Sequence, residues 1–153
     1  MVYFRSVTLR FDGGCQPNPG EGGCGYEIID DDDGNTILEG QHYIGYKCTN
    51  NVAEYKGLIE GLKRLRDSTH EVEHLNIEGD SELVINQLNG SYNVRSNRLR
   101  PLYNRARQLL DACIDRVFNS YIISHIDRYS NSRADELASD AVNEQQDWST
   151  DNY

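Results

Sequence analysis

Residues 2–12 alternate in character, with Val7, Leu9 and Phe11 on one side and Thr8, Arg10 and Asp12 on the other. A period of two predicts a strand with one face on a core. Residues 13–23, GGCQPNPGEGG, combine Gly, Pro and Asn and predict a loop. Residues 24–30 predict a second strand, DDDGN a hairpin turn, and residues 36–46 a third strand. The period then changes. Thr49, Asn50 and Asn51 offer capping side chains, and Leu58, Ile59, Leu62 and Leu65 recur at helical spacing, so a helix is predicted to Arg66. Ala53, Gly57 and Gly61 recur every four residues. That small-residue stripe lets a helix lie close on a sheet, and packing is the favoured reading of it.

Residues 74–78, HLNIE, predict a short strand ending at Gly79-Asp80, followed by a short helix over 81–89 that Asn89-Gly90 terminates. Pro101 suits the start of a helix over 98–115. The apolar, β-branched run 117–126 predicts a fifth strand, and Asn131 is placed to cap a helix over 132–145. The order β-β-β-α-β-α-α-β-α predicts an α/β protein, a mixed sheet flanked by helices. Residues 1–145 form a single domain in this reading, and 146–153 a polar acidic tail, frayed at its end, in which only Trp148 has a side chain suited to docking.

Composition narrows the class. A chain of 153 residues, 37% hydrophobic, suits one core, burying about two-thirds of the unfolded-chain surface. No apolar run approaches the ~20 residues of a membrane span. The charged, alternating start MVYFRSVTLRFD lacks the apolar centre of a signal peptide. A soluble, cytoplasmic protein without a membrane partner is expected. Cys15, Cys24, Cys48 and Cys113 contain no C-x-x-C pair, so free thiols are expected rather than zinc, with a single disulfide left open.

The net charge of −10 looks wrong for a protein that binds nucleic acid. Its distribution matters more. Asp30 to Asp33 form an acidic turn, and six acids but no Lys or Arg follow Arg133. Residues 89–110 carry Arg95, Arg98, Arg100, Arg105 and Arg107 and no acid. A positive stripe on an acidic body can still steer a phosphate backbone, although a solvated helix face is the plainer reading of any one of these arginines. Low Lys and high Asp also fit adaptation to high salt.

Four acids stand where acids are structurally awkward. Asp12 ends the first strand before Gly-Gly, Asp80 ends the fourth, Glu54 lies near the start of the first helix and Asp135 in the first turn of the last. Strands one and four side by side and parallel would put Asp12 and Asp80 on one sheet edge, where open α/β sheets place their sites. Each acid alone reads as a cap or a dipole partner. Together they would repel by several kcal/mol per pair at an effective dielectric of ~20, unless a cation offsets the charge. Oxygen-only ligands favour Mg²⁺ or Mn²⁺.

The segments DGGCQPNPGEGG (12–23), TNNVAEYKGL (49–58), GDSELVINQLNGSY (79–92) and NSRADELA (131–138) resemble type 1 ribonuclease H, in order and over nearly the whole chain. The resemblance implies a ribonuclease H-like fold with a five-stranded mixed sheet in the order 3-2-1-4-5, strand 2 antiparallel. It implies endonucleolytic cleavage of the RNA strand of RNA–DNA hybrids by a monomer. Two Mg²⁺ ions, with Mn²⁺ as a substitute, would serve the reaction, leaving 5′-phosphate and 3′-hydroxyl ends. Asp12 would bridge the ions, with Glu54 and Asp80 completing one position and Asp135 the other. Substrate contacts are implied for Cys15, Gln16, Asn18, Asn50, Ser81 and Glu82 in the minor groove. Lys47, Thr49, Arg95 and Asn97 are implied around a phosphate of the DNA strand. A retroelement-type nuclease, a nuclease tolerant of double-stranded RNA and a non-catalytic hybrid-binding module stay open.

The chain departs from the family in two places. SYNVRSNRLRP leaves no room for the basic helix that many members insert, and the Arg95–Arg107 stripe stands in its place. Many members also carry a loop histidine for product release. His125 occupies that place by ungapped counting, but a structural histidine inside the fifth strand is the favoured reading, with Arg128 the nearest polar group able to reach the site.

Overall fold

In the computed structural model, which describes residues 2–153, the alternating N-terminus forms β1 (Tyr3–Gln16). There follow β2 (Gly20–Asp30), β3 (Thr36–Cys48), α1 (Asn50–Asp67), β4 (Glu71–Gly79), α2 (Glu82–Leu88), α3 (Arg100–Cys113), β5 (Phe118–His125), a 3₁₀ turn (Tyr129–Asn131), α4 (Ser132–Glu144) and β6 (Trp148–Asp151). One sheet runs β5-β4-β1-β2-β3-β6. β1 pairs parallel to β4, and β4 parallel to β5; the pairs β1–β2, β2–β3 and β3–β6 are antiparallel. Val7, Leu9 and Phe11 are fully buried and face α1, whose Leu58 and Leu62 complete the same core. Among the described residues, no helix is long and apolar enough to cross a membrane. Cys15, Cys24, Cys48 and Cys113 are all buried and unbridged.

The five-stranded expectation is corrected to six strands. The segment 146–153, expected to fray, supplies β6. Its partners are distant in sequence. Asn152 donates its amide to the Ile37 carbonyl at 2.9 Å and its Nδ2 to the Thr36 carbonyl at 2.8 Å. The Asp147 carboxylate accepts the Tyr43 amide at 2.7 Å and lies 2.7 Å from His42 Nδ1. Asp151 lies 3.0 Å from Nε2 of the buried His70. None of these partners leaves a local pattern in the acidic tail.

The expected loop 13–23 is also corrected. β1 continues through Gln16 and pairs with β2 as Asp12↔Gly25, Gly13↔Cys24, Gly14↔Gly23 and Cys15↔Gly22. Glycine usually weakens a strand. Here its missing side chain admits a helix on each face. A Cβ at Gly13 would stand 2.1 Å from the Ala53 carbonyl of α1, and one at Gly25 would stand 2.5 Å from Leu137 Cβ of α4. The Gly57 position of α1 bears on the Asp12 carbonyl in the same way, at 2.6 Å. The small-residue stripe is packing, as expected.

Gly13→Ala should therefore drive the start of α1 off β1. Overpacking of this kind costs about 1–3 kcal/mol, and here the obstacle is backbone. A urea titration should show a lower midpoint with an unchanged slope. An unchanged midpoint would contradict the close approach.

Candidate active site

The parallel register of β1 and β4 ends at Phe11↔Gly79, so Asp12, still paired with β2, and Asp80, just past the end of β4, stand side by side. Thr49 caps α1, accepting the Val52 amide on its hydroxyl at 3.3 Å, and α1 lies across β1 with Glu54 turned to the same edge. One carboxylate oxygen from each of Asp12, Glu54 and Asp80 lies within 4.8 Å of the others. Asp135, in the first turn of α4, comes within hydrogen-bonding reach of Asp12 and lines the same cleft as Asp12 and Glu54. The four acids separate into a close trio and a fourth acid beside Asp12.

Asp12 and Glu54 are only 6% and 8% exposed, so water does little to screen them. Burial, the Asp80 charge and Asp135 push the Asp12 carboxyl up to about 7, against the opposing pull of hydrogen bonds from Glu54 and the Gly13 amide. Burial pushes Glu54 well above the ordinary carboxylate range, followed by the charge of Asp12, and Arg128 is the cation that opposes it. Glu54 Oε2 is buried without a hydrogen-bond partner. An unpartnered buried oxygen among repelling carboxylates fits a divalent cation, and an all-oxygen donor set fits a hard one.

Asn131 stands at the N-cap position of α4, where the sequence put it, but its side chain has another role. It was expected to cap α4, yet its side chain makes no capping hydrogen bond. Fully buried, it donates Nδ2 to the Phe11 carbonyl at 2.9 Å and to Asp80 Oδ2 at 3.0 Å. It ties β1 at Phe11 to the residue that follows β4 and sets the direction of Asp80. A capping Asn and a bridging Asn leave the same mark in a sequence.

The other expected residues divide between two clefts. Cys15, Gln16, Asn50 and Arg128 line the carboxylate cleft, of about 490 Å³. Asn18, Thr49, Asn50 and Arg95 line its neighbour, of about 570 Å³, with Asn51, expected only as a capping residue, and with Asn93 and Ser96, which the sequence did not single out. Asn50 Oδ1 accepts the Cys15 amide at 3.0 Å and Asn18 Oδ1 the Asn50 amide at 3.3 Å, which leaves both Nδ2 groups to face outward. Lys47, Ser81, Glu82 and Asn97 line neither cleft. Ser81 caps α2 by accepting the Val84 amide at 3.3 Å, and Asn97 Oδ1 accepts from Arg100 at 2.9 Å. His125 ends β5 opposite Gly79, exposed, with Nε2 3.2 Å from the Asp80 carbonyl oxygen. The arginine stripe is thinner than its count suggests. Arg98, Arg100 and Arg107 donate to the carbonyls of Lys47, Val94 and Leu88.

The mixed sheet with carboxylates gathered where its parallel strands β1 and β4 part defines a ribonuclease H-like fold. The family model described as reverse transcriptase-like matches residues 10–141. Ribonuclease HI of Halobacterium salinarum is 37% identical over 138 residues, 90% of this chain but 65% of that protein's length. The bifunctional protein Rv2228c of Mycobacterium tuberculosis is 35% identical over 89% of this chain, which spans 35% of that protein. The crystal structure of the Halobacterium RNase H1 superposes with a TM-score of 0.81 at 36% identity, covering 91% of this chain and 98% of that one. LC11-RNase H1, solved in complex with an RNA/DNA hybrid, superposes at 0.79 with 35% identity, covering 91% and 98%. The chain belongs to the ribonuclease H family.

The raised carboxyl of Asp12 has a consequence for stability. Its affinity for a proton is higher folded, at about 7, than the ordinary 3.8. The folded state therefore binds more protons between these values, and the metal-free protein should lose stability as pH rises from about 4 to about 7. Asp12→Asn removes that loss. In EDTA at pH 7.5 its Tm should exceed the parent's by about 2 °C or more, measured by calorimetry. A lower Tm would contradict the repulsion.

Proposed function

We propose that this chain hydrolyses the RNA strand of RNA–DNA hybrids endonucleolytically, leaving 5′-phosphate and 3′-hydroxyl ends. The observation that carries the reading is the trio Asp12, Glu54 and Asp80, with oxygens within 4.8 Å and one of them buried without a partner, in a chain of this family. Asp12, Glu54 and Asp80 would hold one Mg²⁺, and Asp12 with Asp135 a second, with Mn²⁺ as a substitute. When bound, such ions would activate a water and stabilise the departing 3′ oxygen.

The chain's own groups do the rest. Asn131 orients Asp80 before any substrate arrives. The outward amides of Asn18 and Asn50 suit donation across a shallow minor groove to ribose 2′-oxygens, the groups that mark RNA. Arg95 shares a cleft with Thr49, which supports a contact with a phosphate of the DNA strand. Arg128 brings positive charge to the mouth of the carboxylate cleft. The four unbridged thiols suit an intracellular enzyme, and we read it as one folded domain acting as a monomer.

The test uses one labelled RNA 12-mer, with a DNA counterpart, in RNA–DNA, RNA–RNA and DNA–DNA duplexes with Mg²⁺, Mn²⁺ or EDTA. Cleavage of the RNA–DNA hybrid alone, and none in EDTA, is expected. Cutting of double-stranded RNA would favour the tolerant nuclease, and binding without cutting would favour the non-catalytic module. Asp80→Asn keeps the shape but removes a charged ligand, and should lower kcat by about 100-fold or more. His125 lies in a strand and meets the site through a main-chain oxygen, so His125→Ala should lower kcat less than tenfold. A larger loss would assign it the product-release role.

A further inference from the structure

The carboxylate cleft does not stop at the carboxylates. It continues along α4 past Asp135 to Ser139 and Asn143, with Gln16 at the end of β1 also on its wall. Asp135, Ser139 and Asn143 follow one another at intervals of four, so they share one face of the helix. At 1.5 Å per residue that stripe is about 12 Å long, the axial length of roughly three to four bases on one strand at about 3.4 Å each.

The stripe differs from the rest of α4. The opposite side is packed, with Ala134, Leu137 and Ala141 buried, while Ala138 and Val142 share the cleft wall with the stripe. Of the flanking polar groups, Arg133 is tied to Glu39 and Glu136, and Glu144 to Gln41. Ser139 and Asn143 are exposed and, among the described residues, have no side-chain hydrogen bond. They are also uncharged on a helix whose Glu136, Asp140 and Glu144 are acidic. A hydroxyl and an amide can each donate and accept, which suits a ribose 2′-hydroxyl better than a phosphate. The two clefts meet at Asn50, so α4 extends the surface beyond the carboxylates from the Thr49–Arg95 side.

We propose that Ser139 and Asn143 form an RNA-strand subsite on α4, reading 2′-hydroxyls two to four nucleotides to one side of the cleaved bond. The inference rests on the hybrid-cleavage reading above. Its test pairs the protein variant Ser139→Ala/Asn143→Ala with a set of RNA–DNA hybrids, each carrying one deoxynucleotide in the RNA strand at successive positions from a single cleavage point. The variant should melt within 1–2 °C of the parent, because both side chains are exposed, and should raise KM about tenfold with kcat within twofold. One deoxynucleotide position should lower kcat/KM several-fold for the parent and leave the variant unaffected. Unchanged KM, or substrate and protein effects that multiply independently at every position, would overturn the subsite while the parent still cuts the all-ribose hybrid. A parent that cuts no hybrid would overturn the reading itself, and the subsite with it.

Discussion

The constraint on which this molecule turns is the mutual repulsion of carboxylates held out of water. Two such charges about 4 Å apart repel by about 4 kcal/mol at an effective dielectric of 20. On a surface they would swing apart into solvent. Asp12 and Glu54 are buried, and the backbone beneath them is clamped: β1 is pinned between β2 and β4, α1 bears on Gly13, and Asn131 joins the Phe11 carbonyl to Asp80. The glycines around Asp12 are the condition for that clamp, because any side chain there would hold the helices away. A site built this way is poorly stable without a cation and preorganised for one, the usual exchange between stability and activity.

The same economy explains how an acidic chain suits a polyanion. Of the six acids after Arg133, Asp135 belongs to the site. Four others are paired within the protein: Glu136 with Arg133, Glu144 with Gln41, Asp147 with His42 and Asp151 with His70. These contacts put much of the surplus negative charge on the β3–β6 side of the molecule. Those at the surface contribute little stability one by one, whereas Glu144 and Asp151 reach the buried Gln41 and His70. Asp147 fastens the start of β6 along β3 through His42, and Asp151 ties its end to His70; β6 thereby covers an edge that would otherwise be open to pairing with another chain. Near the clefts the charge is set differently, with Arg95 and Arg128 lining them and uncharged Asn and Ser between.

The arginine stripe shows the limit of counting charges. Five arginines without an acid read as a binding surface. Three of them donate to main-chain carbonyls and shape the segment that leads into α3. They still carry charge, but their geometry is committed to the protein. Arg95 is the member of the stripe that borders the Asn18–Thr49 cleft with its side chain unengaged.

Local pattern by itself determined the order of the first five strands and four helices and set the four acids at strand ends and helix starts; the parallel pairing that sets Asp12 beside Asp80 was implied by the family resemblance. Each of these leaves a periodic or positional mark within about ten residues, since strand and helix periods and strand-end positions are local properties. Three things were decided only by tertiary structure. The glycine-rich stretch after Asp12 is strand because helices from residues 53 and 137 press on it. The tail is a strand because its partners lie at residues 36–43 and 70. Asn131 holds Asp80 instead of capping its own helix because Phe11 and Asp80 converge beneath it. In each case the deciding contact spans tens of residues of chain, and a one-dimensional pattern carries no record of it.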